Sequence, residues 1–179
     1  SGDSLKLDLY FWLQALVLAL VALILLFTFV GRITPVVGES MLPTLHEGDV
    51  MLIRDIGYTD PQPGDIVVLT KEFDAARGPI VKRIIAVEGQ TVDIDYQTGT
   101  VYVDGEALDE PYLNEPMEEP WYEDLTSVTV PEGSVFVMGD NRNHSNDSRD
   151  VTLGTVDTRY LLGKAEFICF PFSDFGRIG

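Results

Sequence analysis

From Tyr10 to Val30 the chain reads YFWLQALVLALVALILLFTFV, 21 residues without a charge. Coiled as a helix they reach about 31 Å, roughly the hydrocarbon thickness of a bilayer. The pattern predicts a membrane-spanning helix over 10–31 behind a short tail at 1–9. Tyr10, Phe11 and Trp12 fall where amphipathic aromatics settle at an interface, and Gly31 and Arg32 close the span. A buried core helix rarely runs so far without a charge. A cleavable leader has a shorter apolar run, about 7–15 residues, ending on small residues, and no such site follows Val30. Lys6 and Arg32 on the two flanks are too balanced to orient the span by charge.

Beyond Thr34 the period changes. Short β-branched runs follow one another, DVMLIRDI, DIVVLT, PIVKRIIAVEG, QTVDIDY, TVYVDG, SVTV, SVFVMGD and KAEFICF, punctuated by Gly, Pro and Asp. With no helical period between them they predict an all-β unit over 32–179, an antiparallel sheet folded over on itself or a barrel. YQTGTVYVDGEAL reads as two hairpin turns in succession, because Thr98-Gly99 and Asp104-Gly105 supply residues that tolerate positive φ. Residues 104–124, DGEALDEPYLNEPMEEPWYED, are rich in Pro and acid and are expected to form an excursion over the surface. Their acids lack the spacing of a calcium loop, so a solvated acidic segment is the reading.

Composition narrows the function classes. Against 12 basic residues stand 29 acidic ones, a net charge of −17, which opposes nucleic-acid binding because phosphates demand clustered Lys and Arg. The single cysteine, Cys169, excludes an internal disulfide and a cysteine metal site, and in FICF it reads as core. No metal, nucleotide or other cofactor is implied.

Three segments carry candidate chemistry. VVGESMLPTLHEGD follows the span directly and holds Ser40 between Gly38-Glu39 and Met41-Leu42-Pro43. By itself this serine could equally be a loop hydrogen-bonder. GPIVKRIIAVEG sets Lys82 and Arg83 in an apolar run, where strand alternation sends them to opposite faces. Desolvation by Ile80, Val81, Ile84 and Ile85 would lower the amine's pKa and raise its neutral fraction. A lysine snorkelling at a sheet edge reads the same way. VFVMGDNRNHSNDSRD feeds a strand into a dense set of Gly, Asp, Asn, Ser and Arg that can satisfy one another and hold a neighbouring group in place.

Together the three segments resemble the type I signal peptidases. GESMLPTL, GDIVVL, VKRIIAVEG and GDNRNHSNDSR match in order and spacing, and VDGEALDEPYLNEP, VPEGSVFVMGDNR and LLGKAEFICFPF extend the match over nearly the whole chain beyond the span. The compact size and lone anchor are similar to members from Gram-positive bacteria.

The resemblance implies a membrane-bound serine endopeptidase that removes signal peptides from secretory preproteins. Ser40 would be the nucleophile and Lys82 the general base, a dyad that needs no imidazole; His46 and His144 fall where the family assigns no catalytic role. Ser145 would orient the lysine amine, Asp147 and Arg149 would brace its loop, and Asp140, Asn141, Arg142 and Arg83 would support it. The Ser40 backbone N–H would serve the oxyanion. At Gly38 some members carry a hydroxyl donor, so backbone or water would supply a second donor here.

Cleavage would follow small residues at Ala-x-Ala sites, with Val36, Met41, Leu45, Ile80 and Val81 walling shallow pockets and the peptide extended along a strand edge. Ser40 lies ten positions beyond Val30, at most about 35 Å of chain, which keeps the site at the membrane surface. The partners expected are preproteins and the lipid bilayer, with no nucleic acid. The catalytic domain is expected on the extracytoplasmic face, working as a monomer near the secretion machinery. Two rivals stand beside this reading. A self-cleaving repressor of the same Ser-Lys type would carry a DNA-binding domain where the span lies. A catalytically silent peptide-binding module would not need Ser40, Lys82 and Ser145 together.

Overall fold

The computed structural model describes residues 2–29, 31–120 and 125–178. Helix α1, Gly2–Phe29, begins well before Tyr10, so the stretch expected as a tail is helical. Ser4 to Leu9 contains no Gly or Pro to break the hydrogen-bond ladder, and the ladder continues whether a turn lies in lipid or in water. The window Ser4–Leu25 is long and apolar enough to cross a membrane, and none of it is buried against the rest of the protein. An apolar helix without a protein partner is what a bilayer solvates.

Among the described residues twelve strands follow: β1 Arg32–Pro35, β2 Val50–Arg54, β3 Ile66–Leu69, β4 Ile80–Val87, β5 Thr91–Asp95, β6 Thr100–Val103, β7 Glu106–Ala107, β8 Ser127–Thr129, β9 Ser134–Met138, β10 Val156–Asp157, β11 Leu161–Phe170 and β12 Gly176–Arg177. The larger sheet runs β1-β2-β11-β3-β4-β9-β10 with β12 also on β11, and a smaller sheet runs β7-β6-β5-β8. Their pairings are antiparallel, as expected, and the path from β1 to β10 stays open. β1 was not legible as a strand. Pro35 within it is tolerated because β1 is an edge, where a missing N–H costs no ladder bond.

Burial follows position in the sheet. β3 is buried at all four residues, IVVL, because both faces of the sheet's centre are covered, whereas β5 and β6 alternate buried and half-buried positions. One cluster packs Met51, Ile53, Ile66, Val68, Ala165 and Ile168 with Met41 and Leu45. A second lies on β3, β4 and β9 around Leu69, Ile84 and Val137. A third joins Ile85, Ala86, Phe136 and Met138 to the small sheet. Alternation along β9 separates the last two, and a register shift between Ile84 and Ala86 lets the consecutive Ile85 and Ala86 both join the third. The turns at Gly99 and at Asp104-Gly105 form as expected, with φ of 71°, 52° and 83°. Cys169 is half-buried rather than core.

Candidate active site

The segment between β1 and β2 is tied at its base by Val36 N to Asp49 O at 2.7 Å and Gly48 N to Val36 O at 3.0 Å. Inside it Met41 and Leu45, 1% and 0% exposed, plug into the core, so the half-buried Ser40 is held by an apolar anchor on its C-terminal side. Gly38 has φ of +84°, a conformation that favours glycine over residues with a Cβ, and it lets the chain turn just before Glu39 and Ser40.

Lys82 lies in β4 opposite Val67 of β3 and is 3% exposed. Its Nζ donates to Ser40 Oγ at 2.6 Å. Burial lowers its pKa from 10.5 to about 8; Arg149 pushes the same way, while Asp147 and Asp140 oppose. Alternation was expected to send Lys82 and Arg83 to opposite faces, and both are buried. Arg83 is taken up by Asp140, which accepts from Nε and Nη2 at 2.8 Å each, and by the Gly64 carbonyl at 3.0 Å.

The residues after β9 form the third side. Asp147, fully enclosed, accepts from Gly139 N at 2.9 Å, from Ser145 Oγ at 2.7 Å, and from Arg149 at 2.8 and 3.0 Å. Burial alone would raise its pKa, but the Arg149 guanidinium and these donors hold it below the usual carboxylate range. Ser145 thus gives its hydroxyl proton to Asp147. Among the described residues Lys82 Nζ bonds Ser40, and the bond from Ser145 to the amine that the resemblance implied is not one of those made. Ser148 pins the loop back on β9, its Oγ accepting from Val137 N at 3.0 Å.

Asn141 links this loop to the nucleophile: its N–H donates to Ser40 O and its Nδ2 to Glu39 O, each at 3.0 Å. Arg142 Nε holds the Gly139 carbonyl at 3.1 Å. Ser40, Lys82, Arg83, Asp140, Asn141, Arg142, Ser145, Asp147 and Arg149 therefore belong to one connected network. His144 is exposed in a short 3₁₀ turn, Arg142–His144, and His46 is exposed as well.

Of the five residues expected to wall pockets, Val36, Met41, Leu45 and Val81 share one cluster, but the first three are buried within it and back the site rather than open onto it. Ile80 packs in the cluster on β3, β4 and β9, because neighbours in a strand face opposite sides.

Five participants were missed. Thr44 Oγ1 donates to Asp140 Oδ2. Gly139 is so close to its neighbours that a Cβ built on it would overlap Ser145 Oγ and the Ser40 carbonyl. The acidic segment, expected to run over the surface, turns Glu110 inward to Arg142 and lays the Tyr112 ring on Arg83, 3.9 Å from ring centre to guanidinium carbon. Met117 is 3% exposed in the core. The segment is not merely a solvated loop over 104–120, because two buried arginines take partners from it, Arg142 an anion and Arg83 a ring; Trp121 to Asp124 lie outside the described residues. Only the alternation of apolar residues with acids in EPYLNEPM could have signalled this. His46, Asp49 and Asp174 place donor atoms within 4.8 Å of one another, but Asp49 accepts from His46 N at 2.8 Å and serves its own turn.

The chain is similar to known proteins. The family model described as "Signal peptidase, peptidase S26" matches residues 9–170. A probable signal peptidase I-1 of Synechocystis sp. is 41% identical over 92% of this chain and 84% of its own. A signal peptidase I of Bacillus licheniformis is 36% identical over 97% of this chain and 95% of its own. A solved signal peptidase I of Enterococcus faecalis is 32% identical, with a TM-score of 0.49, over 60% of this chain and 98% of that one.

Proposed function

We propose, for a chain that belongs to the signal peptidase family, peptidase S26, that Ser40 and Lys82 form the dyad by which it cuts secretory preproteins. As a signal peptidase I the protein is a serine endopeptidase; the residues and the specificity are the proposal.

The observation that carries it is the 2.6 Å contact between Lys82 Nζ and Ser40 Oγ in a buried setting. With a pKa of about 8, about half of the amines are neutral at pH 8, against under about 1% for an ordinary lysine. In the neutral form the contact reverses and the hydroxyl donates to Nζ. Oγ then attacks the scissile carbonyl, Nζ takes its proton, and the tetrahedral oxyanion forms against the Ser40 N–H. Nζ next delivers the proton to the leaving amine as the C–N bond breaks. Water, activated by the same amine, cleaves the acyl-enzyme and frees Ser40. Among the described residues the Ser40 N–H has no internal acceptor, which supports its use for the oxyanion.

The cut follows small residues of the Ala-x-Ala type. Met41 and Leu45 are buried behind Ser40 rather than open onto it, so what supports this specificity is the likeness to the signal peptidases. The chain is a single-pass protein with its β unit on the extracytoplasmic face, acting as a monomer near the secretion machinery. β1 starts at Arg32, immediately beyond α1, and keeps the site by the membrane.

The test is cleavage in detergent of a preprotein with an Ala-x-Ala site by parent, Ser40→Ala, Lys82→Ala and Lys82→His. The parent alone is expected to cut, after the final alanine. Four equally inactive proteins that still bind the preprotein would instead favour a silent peptide-binding module.

A further inference from the structure

We infer that the acidic segment over 104–120 is a strap that positions the dyad, with Glu110 and Tyr112 as its positioning residues; this rests on the Ser40–Lys82 reading above. Three arginines are buried around the dyad, Arg83, Arg142 and Arg149, at 4%, 2% and 5% exposure. The loop after β9 supplies two buried carboxylates, and they are taken: Asp140 by Arg83 and Asp147 by Arg149. The third anion comes from the strap. Glu110 accepts from both terminal nitrogens of Arg142, the Nη1 bond at 3.0 Å. A guanidinium buried this deeply requires such a partner.

Each strap residue leads to one member of the dyad through an arginine. Arg142, fixed by Glu110, holds the Gly139 carbonyl at 3.1 Å, and the Asn141 N–H holds the Ser40 carbonyl at 3.0 Å. Tyr112 lies face-on to Arg83, the residue that follows Lys82 in β4. The Tyr112 hydroxyl donates to Glu110 Oε1 at 2.9 Å, so the two legs are coupled. Burial and Glu110 push the phenol's pKa up, which keeps that proton in place.

Further along, Asn143 Nδ2 donates to Glu115 Oε1 at 2.9 Å and to the Pro116 carbonyl at 3.1 Å, and Glu118 N donates to Asn143 Oδ1 at 2.8 Å. Met117 Sδ lies 3.5 Å from Arg149 Nη1. A segment needed only to cover the small sheet would have no reason to spend its inward-facing polar groups on the site's arginines. Positioning matters here because a displacement of about 1 Å can cost on the order of a hundredfold in rate.

The experiment measures kcat and KM separately for the full chain in detergent on an Ala-x-Ala preprotein. It compares parent, Glu110→Gln, Tyr112→Leu, Tyr112→Phe and Ser40→Ala. Tyr112→Leu, which removes the ring from Arg83, is expected to lower kcat about tenfold with KM within about twofold. Tyr112→Phe keeps the ring and is expected to recover most of that loss. Glu110→Gln is expected to lower kcat further, on the order of a hundredfold. Because it also leaves Arg142 without an anion and can unfold the chain, the Tyr112 pair decides alone if it does.

Parent kcat in Tyr112→Leu, with only the unfolding midpoint lowered, overturns the inference. So does a loss confined to KM, or an equal loss in Tyr112→Phe and Tyr112→Leu. A Ser40→Ala protein as active as the parent sinks the dyad reading instead, a result separate from either outcome for the strap.

Discussion

The backbone of Gly139 passes so close to Ser40 that one methyl group on its Cα would overlap the Ser40 carbonyl oxygen, and the Ser145 hydroxyl with it. The close approach lets Asn141 N reach Ser40 O at 3.0 Å and lets Gly139 N donate to Asp147. Gly139→Ala is therefore expected to destabilise the fold by about 1–3 kcal/mol, as overpacking does, and to cut activity more than stability alone explains. Urea unfolding beside kcat on a preprotein checks this. Parent-like values of both would mean that the loop gives way without cost.

Burial sets the working pH. With Lys82 at about 8, kcat/KM is expected to rise with pH as the amine loses its proton, with an apparent midpoint about one unit either side of 8. A profile recorded from pH 5 to 10.5 checks this. A midpoint near 10.5, the ordinary value, would mean that the amine is solvated, and one near 6.5 would point to a histidine.

The same shift is a stability statement. The folded Lys82 binds its proton less tightly than the unfolded one, about 8 against 10.5. Unfolding therefore takes up a proton between these values, and stability falls as pH drops through that window and stays low beneath it. Lys82→Met removes the penalty and loses a hydrogen bond to Ser40. The expected result is an inactive protein that is more stable than the parent at pH 7, by on the order of 1–2 kcal/mol. The gain is expected to vanish above the ordinary lysine pKa. Denaturation of both proteins at pH 7 and pH 10.5 tests the sign.

Asp147 works in the opposite direction. Its carboxyl is held below the usual range in the folded state. The stability it contributes is thus fully present above the ordinary carboxylate pKa of about 3.9 and is lost as pH falls through its depressed folded value. Asp147→Asn strands the buried Arg149 guanidinium and is expected to cost about 3–5 kcal/mol at pH 7. The difference from the parent should shrink toward pH 2. A difference that does not depend on pH would show that charge is not what Asp147 supplies.

The sequence was most legible where one local signal decides the structure. A long uncharged apolar run is a helix whatever surrounds it, and period-two apolar runs broken by Gly, Pro and Asp make antiparallel strands. Even so, α1 extends further toward the N-terminus than the apolar run suggested, because backbone hydrogen bonding has no stop signal there. β1, RITP, was illegible because an edge strand needs neither alternation nor freedom from Pro.

Residue types and their order also determined the candidate chemistry: a serine beyond the span, a lysine among branched apolar residues, and a loop of Asp, Asn, Ser and Arg. Only the tertiary structure decided which of them meet. It alone brought Ser40 within 2.6 Å of Lys82 across 42 positions of sequence. It gave the Ser145 hydroxyl to Asp147, sent Ile80 to a different cluster from Val81, and turned Glu110 and Tyr112 into a site that composition assigns to solvent. The physical reason is that a buried charge must be matched wherever the chain can deliver a partner. Local sequence records the need for a partner, and the fold alone records which residue meets it.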